Sequence, residues 1–430
     1  MTISGLVYNA DLHAKFHDFL EQTYPRVHAT LKREVVAGHS LLYTWMGQDE
    51  KADPILLAAH MDVVPADPES QGVWEYPPFE GRISDGYIWG RGSLDDKCSV
   101  MGILESLEKL LQEGFTTHRT MYIAFGHDEE VGGQNGSVKI AALLRSRGVN
   151  LDFVLDEGLS ITEGIMPNMT KPAALVGIAE KGCVSMELAA KSEGGHSMMP
   201  PQQTAIGILS NAVSKLEKNQ FPTRMELPVQ KMFQTLAPEM PLGMRVVFSN
   251  LWLFEGLVKK KLASAPRTNA LVRTTTAPTI FQAGVKENVL ATHARAVVNY
   301  RLLPGETVEM VTQHIRKTIN DPSIEIKALE GFRDDPSPFS DTNSSGYRTI
   351  ELSIRQAFPE AIVAPGLVLA ATDSRHYIPL ARNVYRFSPI RLTSEDLPRI
   401  HGNDERIPVE DYTRVVLFYT QFIRNAGAVQ

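Results

Sequence analysis

At 430 residues, 43% hydrophobic and 8% aromatic, the chain can bury a sizeable core over two or more domains, which excludes a wholly disordered polypeptide. Its formal net charge of -7, spread along the sequence rather than gathered in a tail, excludes the basic face that a nucleic-acid partner requires. Nothing approaches the roughly 18 uninterrupted apolar residues of a membrane span, and the two cysteines, Cys98 and Cys183, offer neither a disulfide framework nor a thiolate zinc site.

The amino terminus has neither a basic start nor an apolar h-region, so the sequence as it stands reads as cytoplasmic, and as secreted if a leader has been removed. Apolar spacing over 11–31 predicts an amphipathic helix, and Ser40–Trp45 reads as a short strand. The apolar run 54–60 has the character of a strand buried on both faces, with His60 at its carboxyl end. A loop dense in Pro, Gly and Asp follows over 61–92, then helical spacing over 97–113. A second buried strand at 120–125 leads into a polar, glycine-rich loop at 126–136 and a helix at 137–146, and a third strand at 152–155 ends at Asp156. Strands alternating with helices, with polar residues just past the strand ends, predict a doubly wound, mostly parallel α/β sheet whose site lies at the carboxyl edge.

From 181 the character changes to strand 183–190, helix 203–218, strands 279–283 and 294–303, helix 308–319 and strand 324–329. This βαββαβ order predicts an inserted α+β, ferredoxin-like module. The expected division is therefore 1–180 and 332–430 for the catalytic domain and 181–331 for the insertion. Within it, 221–273 is rich in Pro and Met and has no legible fold. After 336 the alternation resumes, with 344–357, 366–370 and 410–425 as its clearest elements.

The chemistry-bearing residues sit where that sheet would present them. Asp62, two residues after His60, can accept the second ring N–H of the imidazole and fix its tautomer. Asp95 and Asp96 stand together in a loop that opens a helix, a backbone-pinned place for a carboxylate shared by two cations. A nucleotide-binding reading of Gly90-Arg91-Gly92 fails, because the third glycine and the Walker lysine spacing are absent. The consecutive Glu129 and Glu130 point in different directions, so one can ligate a metal while the other takes a proton from water. Taken singly, each has an ordinary reading: a structural histidine, an N-cap aspartate, a solvated acidic loop. Jointly, His60, Asp95, Glu130, Asp156 and His401 offer an N/O ligand set suited to zinc and, less well, to manganese or cobalt.

The motifs His60–Pro65, Trp74–Phe79, Asp85–Lys97, Gly126–Gly133, Gly195–Ser197 and His401–Ile407 together resemble, in order and over essentially the whole chain, the co-catalytic zinc metallopeptidases. That family includes aminoacylase, bacterial glutamate carboxypeptidase and carboxypeptidase S. The resemblance implies two zinc ions, one held by His60, Asp95 and Asp156 and the other by Asp95, Glu130 and His401, with Asp95 bridging and Glu129 as base. In some branches the third-strand ligand is a glutamate, which makes Glu157 the competitor; Asp156 is preferred because Leu155-Asp156-Glu157-Gly158 is similar to the carboxypeptidase S and N-fatty-acyl-amino-acid synthase/hydrolase branch. The inserted module then resembles the family's lid, through which two copies pair. His196 resembles its histidine that polarises the scissile carbonyl, often from a partner subunit. Asn288 and Arg301 resemble the lid residues that grip the substrate's carboxylate or the oxyanion, and Arg375 is a further carboxylate candidate.

The implied activity is hydrolysis of an amide flanking a free carboxylate, in an N-acyl amino acid or short peptide. An N-acyl-amino-acid hydrolase, able to run in reverse as a synthase, needs an apolar channel, which 221–262 is expected to line; a dipeptide-type carboxypeptidase needs a smaller, more polar cleft. The non-enzyme alternative is a catalytically silent binding scaffold, which predicts a missing base or ligand, yet each position is filled.

Overall fold

The computed structural model describes residues 2–3, 10–66, 73–165 and 169–428. Helices α1 (Ala10–Thr23) and α2 (Pro25–Thr30) replace the single helix expected over 11–31, because Pro25 has no N–H to continue the ladder and instead opens a new helix. Then come β1 (Lys32–Val36), β2 (Ser40–Trp45), β3 (Ile55–His60), β4 (Ile83–Ser84), β5 (Tyr87–Trp89), α3 (Lys97–Gln112), β6 (Met121–Gly126), α4 (Ser137–Ser146), β7 (Leu151–Thr162) and β8 (Ala173–Glu180). The inserted part holds β9 (Gly182–Lys191), β10 (Gly195–His196), α5 (Ala205–Lys218), α6 (Leu227–Leu236), α7 (Leu242–Ser249), α8 (Leu251–Leu262), α9 (Pro266–Val272), β11 (Thr275–Ala283), β12 (Val289–Leu290), β13 (His293–Leu302), α10 (Val308–Ile319) and β14 (Glu325–Asp334). The chain closes with α11 (Ser345–Ala357), β15 (Ile362–Val368), β16 (Ala381–Leu392), β17 (Arg406–Pro408) and α12 (Val409–Gly427).

Eight strands form the large sheet in the order β1-β2-β6-β3-β7-β16-β8-β15. The central neighbours β6, β3, β7 and β16 run parallel, as do β8 and β15, while β1 and β2 add an antiparallel edge. Side-chain alternation explains the layers on either side. Ile55, Leu57 and Ala59 of β3 enter a core shared with α3, α11 and α12. Leu56 and Ala58 enter the opposite core, with Ile140, Ala141 and Leu144 of α4 and with Tyr377 and Leu380. A strand buried on both faces is thus apolar throughout until its last residue, His60.

The second sheet is fully antiparallel in the order β11-β13-β9-β14, with α5 and α10 contributing to its core. In chain order these are strands two, three, one and four of a βαββαβ unit, the ferredoxin-like arrangement that the sequence predicts. The unread stretch is helical, as α6 to α9. Rather than extending the small sheet, it packs Val229, Phe233 and Leu236 against Ala173 and Leu175 of β8 and Ala364 and Leu367 of β15.

Candidate metal centre

His60 is 1% exposed, and its two ring nitrogens face opposite duties. Nδ1 lies 3.1 Å from the Asp62 carbonyl oxygen and 3.4 Å from its carboxylate, while Nε2 lies 2.9 Å from Asp95 Oδ1 and 3.3 Å from Glu157 Oε1. Asp62 also accepts the backbone N–H groups of Glu129 at 3.1 Å and Glu130 at 3.2 Å, so one carboxylate orients both the imidazole and the acidic turn. Burial pushes the Asp62 carboxyl up, but His60 and those two amides outweigh it and hold the group below its ordinary value.

Asp95 divides its oxygens: Oδ1 faces His60, and Oδ2 lies 3.1 Å from His401 Nε2, which is itself 3.2 Å from Glu130 Oε2. His401 adopts the left-handed region at φ 59°, uncommon for a side chain with a Cβ. The following residue must be glycine, since a Cβ at Gly402 would stand 2.0 Å from the Pro398 carbonyl oxygen.

The wholly buried Glu405 holds this loop to the Asp95 loop. Its Oε1 accepts the N–H groups of Gly92, Leu94 and Asp95, and its Oε2 pairs with Arg91 at 2.6 Å. Arg91 in turn donates to the carbonyls of His401 and Gly402. Sequence reasoning assigned no role to Glu405 or Arg91; their signal was only that both lie inside the quoted motifs.

At the third strand Asp156 and Glu157 take different places. β7 does not end at 155 but runs on to Thr162, and successive side chains of a strand take opposite faces. Glu157 is therefore the side chain that meets His60, whereas Asp156 binds the Glu157 amide through Oδ1 at 2.9 Å and leaves Oδ2 without a partner among the described residues. Burial pushes the Asp156 carboxyl up to about 6. Among the described residues, two groups could hold a metal ion: His60, Asp95 and Glu157, and Asp95, Glu130 and His401.

A cavity of about 340 Å³ opens over these residues, lined by Asp95, Glu129, Glu130, Glu157 and His401. Burial, reinforced by Glu157 and Asp373 against the pull of His60, holds the Glu129 carboxyl well above its ordinary value. Arg301 and Arg375 line the same space, Arg375 anchored by a 3.2 Å bond to the Gly132 carbonyl. His196 and Asn288 do not line it: both are exposed, at the small two-stranded sheet in which β10 pairs with β12, where the Ser197 amide donates to the Asn288 carbonyl. The stretch 221–262 is likewise absent from the lining of this cavity. Val368, Ala370, Ala371, Ile390, Leu392, Leu94 and Ile400 form its apolar wall.

Asp373 also escaped sequence reasoning. It lies beneath the glycine-rich loop, where a Cβ at Gly126 or Gly133 would come within 2.7 or 2.2 Å of its carboxylate. Burial pushes that carboxyl up to about 7.

The chain is 45% identical to the probable carboxypeptidase S-like 2 of Dictyostelium discoideum, over 96% of this chain and 79% of that protein. It is also 45% identical to the N-fatty-acyl-amino acid synthase/hydrolase PM20D1 of Xenopus tropicalis, over 96% of this chain and 80% of that one. The crystal structure of an M20 family metallo-carboxypeptidase from Sulfolobus solfataricus shares the fold with a TM-score of 0.71 at 18% identity, covering 99% of this chain and 96% of the other. Residues 56–425 match the model of Peptidase family M20/M25/M40, and the chain belongs to that family.

Proposed function

We propose that the chain hydrolyses the amide bond of N-acyl amino acids, using two zinc ions held by His60, Asp95 and Glu157 and by Asp95, Glu130 and His401. The observation that carries the reading is Asp95, whose two oxygens each face a different histidine at 2.9 and 3.1 Å in a cavity that also contains Glu129. The residues fit a pair of cations. Burial would lower the His60 imidazole, yet the Glu157, Asp62 and Asp95 carboxylates lift it well above its ordinary value. Bonds to Asp95 and Glu130 lift His401 to about 10. Glu130 Oε1 is buried without a partner among the described residues. A pocket that draws protons onto its imidazoles so strongly is one that attracts cations, and its N/O donors suit zinc, with manganese or cobalt as substitutes.

When bound, zinc supplies a Lewis acid for the carbonyl and brings the pKa of water towards about 7. Glu129 removes a proton from the attacking water and returns it to the leaving amine. Arg301 and Arg375 meet the substrate's free carboxylate as charge-assisted donors. The apolar wall from Val368 to Ile400 receives the acyl chain, and the name of the Xenopus tropicalis relative supports that choice of substrate. Because a catalyst lowers the barrier in both directions, the same groups join fatty acid and amino acid when both are concentrated. His196, exposed and outside its own cavity, would serve the site of a second copy paired through 181–331.

Glu129→Gln retains zinc, read by metal analysis, and lowers turnover of an N-oleoyl amino acid by about 10²–10⁴-fold; near-normal turnover removes Glu129 from the role. A dipeptide-type carboxypeptidase remains the second reading, favoured by the carboxypeptidase S-like relative. It predicts faster release from a glycyl than from an N-oleoyl substrate. A silent scaffold would release amino acid from neither.

A further inference from the structure

Helix α8 is apolar on two opposite sides, which a helix lying on a water-facing surface is not. Its inner side, Leu251, Val258 and Leu262, is buried in the core that α6 to α9 build on the large sheet. Its outer side carries Trp252 at 81% exposure, Leu257 at 64% and Leu253 at 61%, and the preceding helix α7 adds Leu242 at 78%. Leu253 and Leu257 are one helical turn apart, so they form one ridge, and Trp252 flanks it.

The charge along these two helices is one-sided. Glu255 is the single acid between 242 and 262, and it is engaged by Lys259 at 3.0 Å. Lys260 and Lys261, both exposed, and Arg245 of α7 make no ion pair among the described residues. A chain with a net charge of -7 thus gathers cations beside its exposed tryptophan and leucines. We infer that the outer face of α7 and α8 docks on an anionic lipid bilayer. The leucines and the indole enter the interface while the lysines meet the headgroups. A second copy fits less well, because a two-fold contact through this ridge would bring two lysine clusters together.

The position suits the fold. β15 gives Ala364 and Leu367 to the core beneath these helices and Val368 to the apolar wall of the cavity, so docking and cavity share one strand. The inference does not rest on the proposed reaction, since it is read by binding alone.

The test is flotation of the full chain with phosphatidylcholine vesicles, with and without phosphatidylserine, at physiological salt. The expected result is recovery with the serine-lipid vesicles and about tenfold less without that lipid. A similar loss is expected for Trp252→Ser with Leu257→Ser, and for Lys260→Glu with Lys261→Glu, with melting temperature and turnover of a soluble substrate unchanged in both. Wild-type protein that stays off anionic vesicles overturns the inference, as do substituted proteins that float like wild type. A wild-type dimer that Trp252→Ser dissolves into monomers also overturns it, by assigning the face to a second copy.

Discussion

Glu405 touches no candidate ligand through its side chain except the backbone of Asp95, yet it fixes where two of them stand. Three N–H groups and the Arg91 guanidinium converge on it with no exposure to water. Removing one partner of such a buried pair leaves an uncompensated charge, a loss of about 3–5 kcal/mol. Glu405→Ala is therefore expected to lose that much stability in denaturant unfolding. Glu405→Gln, which keeps an acceptor for the amides, recovers part of it. A loss under 1 kcal/mol for the alanine variant would mean that water replaces the carboxylate. That His60, Asp95, Glu130 and His401 come together was legible in the sequence, because each stands in a motif of distinctive order. Which of Asp156 and Glu157 stands beside His60 was not, because it depends on which face of β7 meets β3, a matter of register that two adjacent acids do not declare. Glu405 was hidden for another reason: it acts on backbone, and nothing in a sequence marks the carboxylate that a loop folds around.

Among the elements, β3, β6, α4, α5 and α10 were legible from apolar periodicity, and β3 with its histidine was the most informative. The helices at 221–273 were not, because α8 is apolar on both sides and α7 and α9 are short, so neither the 3.6-residue period nor a capping pattern stands out. The break at Pro25 was visible in principle, since proline opens helices more readily than it continues them. Helix α1 also carries a feature that only packing reveals. Its His13 ring lies 5.1 Å from His39 and 5.7 Å from His127, and His17 bonds the His39 carbonyl at 2.8 Å. Burial first, then His127, His39 and His17, lower the His13 imidazole to about 4, against a weaker upward pull from Asp62. The unfolded chain protonates this residue near its ordinary pKa of 6.5, the folded chain only near 4, so the stability it contributes is present above pH 6.5 and lost as pH falls towards 4. His13→Gln removes that proton uptake. The melting-temperature difference between wild type and variant should therefore shift in the variant's favour between pH 7 and pH 4, and a constant difference refutes the assignment.

At the scale of the whole molecule, the candidate ligands come from both sides of the inserted module: His60, Asp95, Glu130 and Glu157 precede it, and His401 follows it. A cation pair would thus tie the carboxyl-terminal loop to the first strands of the sheet, and binding energy becomes folding energy because the unfolded chain has no such site. At a zinc concentration about 100 times the dissociation constant the gain is about 2.7 kcal/mol. The pH dependence has a definite sign. Asp373 is pushed up to about 7 by burial beneath the glycine-rich loop, so the stability it contributes is present below its ordinary pKa of 3.8 and lost as pH rises towards 7. The metal-free protein is weakened by this group at neutral pH, while zinc competes better there because its ligands are deprotonated. The melting-temperature gain on adding zinc to chelator-treated protein should accordingly be larger at pH 8 than at pH 5. Glu157→Gln should remove most of that gain, since the carboxylate facing His60 is gone, whereas Asp156→Asn should retain it. The reverse ranking would return the third-strand ligand to Asp156, and equal gains in all three proteins would separate zinc binding from this cavity.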